Sequence, residues 1–314
     1  MKKQSTVGEK AVMETGVFTQ IRQIFSGAVL ETKHTPDEKV AKTEKMLGVI
    51  DDPASKAIYS LREEMVLKIN QKGEEHKALH LSGQVHDEAV CKEFCEMISR
   101  YSRAAKFLDN LFWETLKYSF PGHPSYGIRL GWRVVSLNPE AVAEPLFDEK
   151  NPSSTFMTDL RRVLTEDEGK LSFADREFKP IDMENEECKV GQVKSVRVKA
   201  LYSINDGLQK VLTECMEQVM HRTVPAGKTL PQVIVDAKNK GLRLKQQSEI
   251  VDALFWLALE EEIPATATES NFGIRKDWTV VRIPPGEEEG GDILDQVIGG
   301  LVGQILMRSY GRGN

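Results

Sequence analysis

Residues 90–118 read VCKEFCEMISRYSRAAKFLDNLFWETLKY, and this stretch decides the fold. Its apolar side chains recur in steps of three and four residues, the spacing that places them on one face of an α-helix. The repeating positions are Val90, Phe94, Met97, Tyr101, Ala104, Leu108, Leu111 and Thr115. The spacing predicts a helix of about eight turns that buries one face along its whole length.

A second amphipathic segment precedes this one in the chain. Asp52 and Pro53 are typical of a helix start, and a stripe of four apolar residues follows: Ile58, Leu61, Met65 and Ile69. The residues Ser82-Gly83-Gln84 then separate the two segments. Because a short turn between long amphipathic helices brings them side by side, the pattern predicts an antiparallel helical hairpin.

Two shorter helices are predicted ahead of the hairpin. Residues 17–30 carry apolar side chains at helical spacing, and Thr35-Pro36-Asp37-Glu38 is typical of a capped helix start. We expect both helices to pack against the hairpin. Residues 1–120 are therefore predicted to form one helical-hairpin domain.

The middle of the chain changes its periodicity. From Tyr126 to Leu137, apolar and polar residues alternate, which predicts a strand, and residues 196–200 alternate in the same way and are predicted to pair with it. Residues 138–192 are rich in proline and acidic residues and contain one helical candidate at 156–164. Residues 121–202 are therefore interpreted as a loop-rich connector that contains strands.

Residues 203–283 predict three helices followed by a β-hairpin. The second helix is expected to begin at Thr229-Leu230-Pro231 and to end at Gly241, and the third is expected at 246–262. This stretch resembles the helix, turn and helix register of winged helix-turn-helix domains, with Phe272 to Ile283 as the wing. The resemblance is at the level of the fold and implies a winged-helix-like module in an α+β, mainly helical chain.

Residues 284–314 are predicted to be an acidic linker and a C-terminal helix. Asp292 to Arg308 has helical periodicity, and Gly299 and Gly303 lie four residues apart on it. This spacing permits close approach to another helix, either within the chain or in a homo-oligomer. No internal repeat is expected from the sequence.

Composition limits the class of protein. Hydrophobic residues make up 40% of the 314 residues and charged residues 29%, which is typical of a folded globular chain. The formal net charge of −6 gives no general attraction to nucleic acid or to anionic membranes. The four cysteines are too sparse for a disulfide framework, and neither an export signal nor a membrane-spanning stretch is recognised. We expect a cytoplasmic protein that does not associate with membranes.

One cluster has the composition of a metal site. In a hairpin that turns near Gly83-Gln84, His76 and His80 on the first helix lie level with Cys91 and Cys95 on the second. Two imidazoles and two thiolates are a suitable ligand set for tetrahedral zinc. Alternatively, the cysteines are small core residues and the histidines end a polar hairpin.

The winged-helix-like module allows two interpretations. The basic residues that would contact DNA are Lys238, Lys240, Arg243 and Lys245 near the turn, and Arg275 and Lys276 on the wing. However, the module is nearly neutral, and Phe255 and Trp256 are predicted to lie exposed beside Glu260-Glu261-Glu262, a combination that favours a protein partner.

The sequence therefore favours a non-catalytic interaction protein, such as an adaptor, a regulator or a subunit of a larger assembly. Phosphate-binding glycine loops and the common hydrolase and zinc-protease motifs do not occur in the sequence. A DNA-binding regulator is the second hypothesis. A metal-dependent enzyme on the helical domain is the third.

Overall fold

The part of the chain that the structure describes is mainly helical and carries two small antiparallel sheets of three strands each. This agrees with the predicted α+β class. One compact unit comprises Met1–Arg176 with Val193–Thr268, and a second comprises Glu177–Gln192 with Glu269–Asn314. The computed structural model describes residues 16–28, 32–81, 88–120, 126–137, 152–173, 189–221, 227, 229–267, 272–275 and 277–282.

The predicted antiparallel hairpin is confirmed. Helix α1 (Val17–Phe25) precedes it, and its two helices are α2 (Pro53–Leu81) and α3 (Glu88–Ser119). Ser55 Oγ, near the start of α2, donates a hydrogen bond to Thr115 Oγ1 at 3.1 Å, near the end of α3. At the other end, the rings of His76 and Phe94 stack at 4.0 Å. These contacts fix the register of the two helices.

The helix predicted after Thr35 is wrong, because residues 32–44 contain no helix and lead into strand β1 (Lys45–Val49). The start of the segment hydrogen-bonds to another element, and its end forms a turn in which Glu44 N–H donates to the Ala41 carbonyl. The backbone N–H groups of Lys33 and His34 donate to Ser60 Oγ on α2. Such bonds hold the start of the segment extended, since its N–H groups are not free to form a helical turn.

The predicted single strand at 126–137 is in fact a hairpin of two strands. Strand β2 (Tyr126–Arg129) turns back into β3 (Arg133–Ser136), and the sheet order is β1-β3-β2. The turn requires positive φ values, 74° at Gly131 and 63° at Trp132. Apolar and polar residues alternate along the two strands of a hairpin in the same way as along one long strand. The alternation from Tyr126 to Leu137 therefore did not reveal the turn.

A second helical pair follows helix α4 (Pro152–Thr165), which confirms the helix predicted at 156–164. The pair consists of α5 (Val196–Met220) and α6 (Leu230–Glu262). The strand predicted at 196–200 is wrong, because these residues form the first turn of α5. The side chain of Ser195 caps this turn by accepting a hydrogen bond from the Val198 N–H.

The helix end predicted at Gly241 is also wrong, because α6 passes through this residue without a turn. Leu212 of α5 lies 3.5 Å from the point that a Cβ on Gly241 would occupy. Packing of α5 along α6 outweighs the cost of about 1 kcal/mol that glycine brings to a helix interior. Without a turn between the second and third predicted helices, the winged-helix module is not confirmed.

The second sheet contains β4 (Lys189–Gln192), β5 (Phe272–Ile274) and β6 (Thr279–Arg282) in the order β4-β6-β5. The hairpin predicted from Phe272 onward is confirmed as β5 and β6. Strand β4 was not predicted, since it follows an acidic stretch assigned to the connector. The predicted C-terminal helix lies outside the described residues, and the domain boundaries at 120, 202 and 283 stay a prediction.

The order strand, helix, helix, hairpin occurs twice in the chain, and the sequence repeats with it. YGIRLGWRVV at 126–135 matches FGIRKDWTVV at 272–281, and KAIYS at 56–60 matches KALYS at 199–203. Between Gly48 and Pro121 in the first copy, and Gly191 and Pro264 in the second, the alignment needs no gap. We call residues equivalent when this alignment places them together. The expectation that the chain has no internal repeat is therefore wrong.

The two repeats also share their packing details. The rings of Tyr59 and Phe112 meet edge to face at 5.3 Å, and those of the equivalent Tyr202 and Phe255 meet at 5.4 Å. In both sheets the first strand shifts register before a glycine, Gly48 or Gly191, as it pairs with the third strand. A Cβ on Gly48 would lie 2.6 Å from the Phe120 ring, which explains why a glycine is needed there.

We expect Phe112→Ala and Phe255→Ala each to lower the free energy of unfolding by about 3–5 kcal/mol, because each removes a buried ring and leaves a cavity. Chemical denaturation monitored by circular dichroism measures this. Leu130→Ala is the control, since Leu130 is exposed, and its effect should stay within about 0.5 kcal/mol. A Phe255→Ala protein as stable as wild type would contradict the assignment of Phe255 to the core.

Candidate functional site

The candidate site lies where the two repeats meet, along α3 and α6. Arg103 of α3 forms an ion pair with Glu260 of α6 at 3.9 Å. Lys117 Nζ of α3 donates a hydrogen bond to Gln246 Oε1 of α6 at 2.8 Å. Gln246 is equivalent to Arg103, and Lys117 is equivalent to Glu260. Contacts that come in such exchanged pairs are typical of a symmetric dimer interface, here formed within one chain.

Equivalent arginines reach across this interface to buried carboxylates. Arg243 Nη2 of α6 lies 3.5 Å from Glu114 Oε1 of α3, and Arg100 Nε of α3 lies 3.5 Å from Glu260 Oε2 of α6. Glu114 also accepts a hydrogen bond from Gln247 Nε2 at 2.8 Å. Arg243, predicted as a DNA contact, is thus held inside the protein by a buried charge.

Two cavities flank the interface at equivalent places. The first, of about 270 Å³, is lined by Trp113, Glu114 and Lys117 of α3 and by Gln246 of α6. The charged residues that line the second, of about 240 Å³, are Arg100, Arg103 and Lys106 of α3 and Glu249, Asp252 and Glu260 of α6, and Trp256 and Leu257 of α6 add an apolar wall. Trp256 is the equivalent of Trp113, so each cavity has one tryptophan wall.

The two residues of the predicted protein contact, Phe255 and Trp256, lie in different surroundings. Phe255, predicted to be exposed, is only 2% exposed because its ring packs against Tyr202 in the core of the second repeat. Trp256 is half-buried and lines the second cavity. Its indole hydrogen-bonds to Asp252, as Trp113 does to Asp109 in the first repeat.

The other predicted DNA contacts do not form one described patch. Lys238 is exposed, and Lys240 and Lys245 are half-buried on α6. Lys238 and Lys240 are two residues apart on a continuous helix and so point in directions about 200° apart. Arg275 belongs to the second unit, and Lys276 lies outside the described residues.

An exposed apolar pair on α6 was not predicted from the sequence. Val235 is 55% exposed and Leu242 is 49% exposed. They lie seven residues apart and therefore on one face of the helix, with Lys238 between them. The predicted break at Gly241 concealed this face, because it assigned the two residues to different helices. A periodicity count through the glycine places them opposite Val233, Leu244 and Val251, which are buried.

The predicted zinc ligands are placed in part. His76 stacks on Phe94, Cys91 is half-buried and Cys95 is exposed, while the side chain of His80 is not among those described. Among the residues that the structure describes, no three potential ligands gather around one point. The zinc site on His76, His80, Cys91 and Cys95 therefore stays a prediction.

Elemental analysis of the full chain, purified without a histidine tag, tests this zinc site. A structural site of this type should retain close to one equivalent of zinc, because the metal is linked to folding. Cys91→Ser should then remove both the metal and any effect of a chelator on the melting temperature. Less than about a tenth of an equivalent in wild type would rule the site out.

The role of Arg243 can be measured by its effect on stability. We expect Arg243→Ala to lower the free energy of unfolding by about 2 kcal/mol, because the buried Glu114 carboxylate loses its cationic partner. Lys238→Ala, on an exposed lysine of the same helix, should change it by less than about 0.5 kcal/mol. Equal, small effects of the two variants would contradict a structural role for Arg243.

In the part of the chain that the structure describes, none of the helices combines the length and the apolar character needed to cross a membrane. No protein-family model, curated protein or solved structure matches the chain. The function must therefore be argued from the site itself.

Proposed function

We propose that this protein is a non-catalytic, cytoplasmic adaptor or regulatory subunit, and that the exposed face of α6 around Val235 and Leu242 binds a protein partner. One observation carries the proposal: two large apolar side chains, each about half exposed, lie on one helical face with a lysine between them. Exposed apolar residues at helical spacing suit an amphipathic helix of a partner.

The charges of this face indicate which kind of helix it would bind. Lys238 is exposed and lies between the two apolar side chains. An acidic residue beside the apolar stripe of the partner would meet this lysine, which gives specificity and speeds association. We therefore propose an acidic amphipathic helix as the bound segment.

Two observations favour a protein over a nucleic acid at this face. A phosphate backbone that bound at Val235 and Leu242 would lose water from its charged groups, and these apolar side chains offer no charge or hydrogen bond in exchange. Arg243, the residue best suited to hold phosphate, is engaged with the buried Glu114. Arginine is the usual bidentate phosphate ligand, so its withdrawal weakens the nucleic-acid alternative.

The face also distinguishes the second repeat from the first. The positions equivalent to Val235 and Leu242 are Lys92 and Ser99. Since the repeats share their core residues, this difference was not needed for folding. It supports a binding role specific to the second repeat.

The repeats supply the variants that test this proposal. We expect the double change Val235→Lys and Leu242→Ser, which installs first-repeat residues, to abolish capture of a protein partner from nuclease-treated host extract by the immobilised full chain. Leu67→Lys is the matched control, because Leu67 is 43% exposed on α2 and its equivalent is Lys210. Mass spectrometry identifies the captured proteins, and a synthetic acidic helix from the partner should compete with it.

Several outcomes would contradict the proposal. Capture that survives the double change would place the interface elsewhere. Recovery of a second copy of this chain alone would indicate a homo-oligomer. Capture that disappears with nuclease, or salt-sensitive retardation of duplex DNA by wild type but not by Lys238→Glu, would favour the nucleic-acid alternative.

A further inference from the structure

The second cavity contains a buried acid, Glu260, one oxygen of which accepts no hydrogen bond from the described residues. The side chain of Glu260 is 6% exposed. No described residue donates a hydrogen bond to its buried Oε2, and the nearest cation, Arg100 Nε, is 3.5 Å away. Burial raises the pKa of Glu260, and Arg100 and Arg103 only oppose this rise. A buried carboxylate oxygen without a donor is costly, which indicates that a further group belongs beside it.

The first cavity differs from the second in its polar contacts. There, Glu114 accepts a hydrogen bond from Gln247, and Lys117, the equivalent of Glu260, donates to Gln246. The positions equivalent to Glu114 and Gln247 are Leu257 and Ala104 in the second cavity. An apolar pair thus replaces a hydrogen-bonded pair, and Oε2 of Glu260 accepts no hydrogen bond from a described residue.

The rim of the second cavity is cationic on its α3 side. Arg100, Arg103 and Lys106 follow one another along successive turns of α3 and line the cavity. Both arginine side chains are 55% exposed, so they can reach a ligand from the rim. The residues equivalent to Arg103 and Lys106 are Gln246 and Glu249, so two of these three cations occur only at this end of the interface.

These features together describe a ligand. Glu260 lacks an N–H donor, and the Trp256 and Leu257 wall suits a planar ring. Glu249 and Asp252 also line the cavity on its α6 side, so a group with more than one negative charge is expected at the α3 side, beside the three cations. A nucleobase supplies the donor and the ring, and a phosphate supplies the charge. The cavity of about 240 Å³ is close to the size range of small-molecule sites.

We propose that this cavity binds a nucleoside monophosphate, with the base against Trp256 and hydrogen-bonded to Glu260, and the phosphate held by Arg100, Arg103 and Lys106. The site lies on the C-terminal half of α6, and its nearest lining residue on that helix, Glu249, is about two turns beyond Leu242 on the same side of the helix. The inference goes beyond the proposed function and does not depend on it.

Isothermal titration of the full chain with AMP, GMP, CMP and UMP tests the proposal. We expect at least one nucleotide to bind with a Kd below about 1 mM. The double change Arg103→Gln and Lys106→Glu installs second-repeat residues and should weaken binding at least about tenfold, as should Glu260→Gln. Lys117→Ala, in the first cavity, should leave the Kd within about twofold, and circular dichroism verifies that each variant is folded.

Four results would overturn the proposal. These are saturation by none of the four nucleotides, equal binding by wild type and the Arg103 and Lys106 double variant, inorganic phosphate binding as tightly as the nucleotide, and tighter binding of a free amino acid such as phenylalanine. The variant with Val235→Lys and Leu242→Ser should bind the nucleotide normally, so failure of either proposal can be recognised separately.

Discussion

In each repeat one aromatic contact fixes how the two long helices lie against each other. A tyrosine on the first helix meets a phenylalanine on the second, as Tyr59 meets Phe112 and Tyr202 meets Phe255. A shift of one residue along either helix would rotate its side chains by about 100° and separate the rings. The register of the two helices in each repeat determines which face of α3, and which face of α6, is not covered by its partner helix. These two faces form the interface between the repeats.

The duplicated framework explains why this protein has two related cavities with different chemistry. Several core residues are identical in the two repeats, such as Phe112 and Phe255, whereas residues at the interface have diverged: Glu114 and Gln247 at one end correspond to Leu257 and Ala104 at the other. At one end the two helices are joined by hydrogen bonds. The other retains a buried acid beside a row of cations. A single chain can diverge in this way because the two halves are separately encoded, which two identical subunits are not.

Much of the helical architecture could be predicted from periodicity. The α2 and α3 hairpin, α4 and the β5 and β6 hairpin follow from local apolar spacing and turn residues, which act over a few positions. The errors arose where distant contacts decide. Gly241 lies inside a helix because Leu212 packs over it, and no helix begins after Thr35 because Ser60 accepts the N–H groups of Lys33 and His34 just before it. Neither contact can be recognised from the residue pattern around Gly241 or after Thr35, because the partner lies elsewhere in the chain.

The candidate site was harder to predict than the fold. Phe255 is predicted to be exposed beside the acidic end of the helix at 246–262, but it is buried, and Arg243 is predicted to contact DNA because its buried partner, Glu114, lies in the other repeat. The matching segments at 56–60 and 199–203 were the signal that could have corrected both. Aligning them without a gap superimposes Phe255 on Phe112, the residue next to Leu111 of the apolar seam, and Arg243 on Arg100.

The gap-free match between the repeats has a consequence for how the chain folds. Because α2 and α5 share the Lys-Ala-x-Tyr-Ser segment, and α3 and α6 share Leu-Phe-Trp, the first helix of one repeat can meet the second helix of the other in a native-like register. Such exchanged pairing is a characteristic hazard of duplicated chains. Native partners adjoin along the chain, and closing a short loop costs less entropy than closing a long one. Synthesis from the N-terminus adds to this bias, since α2 and α3 emerge before their competitors exist.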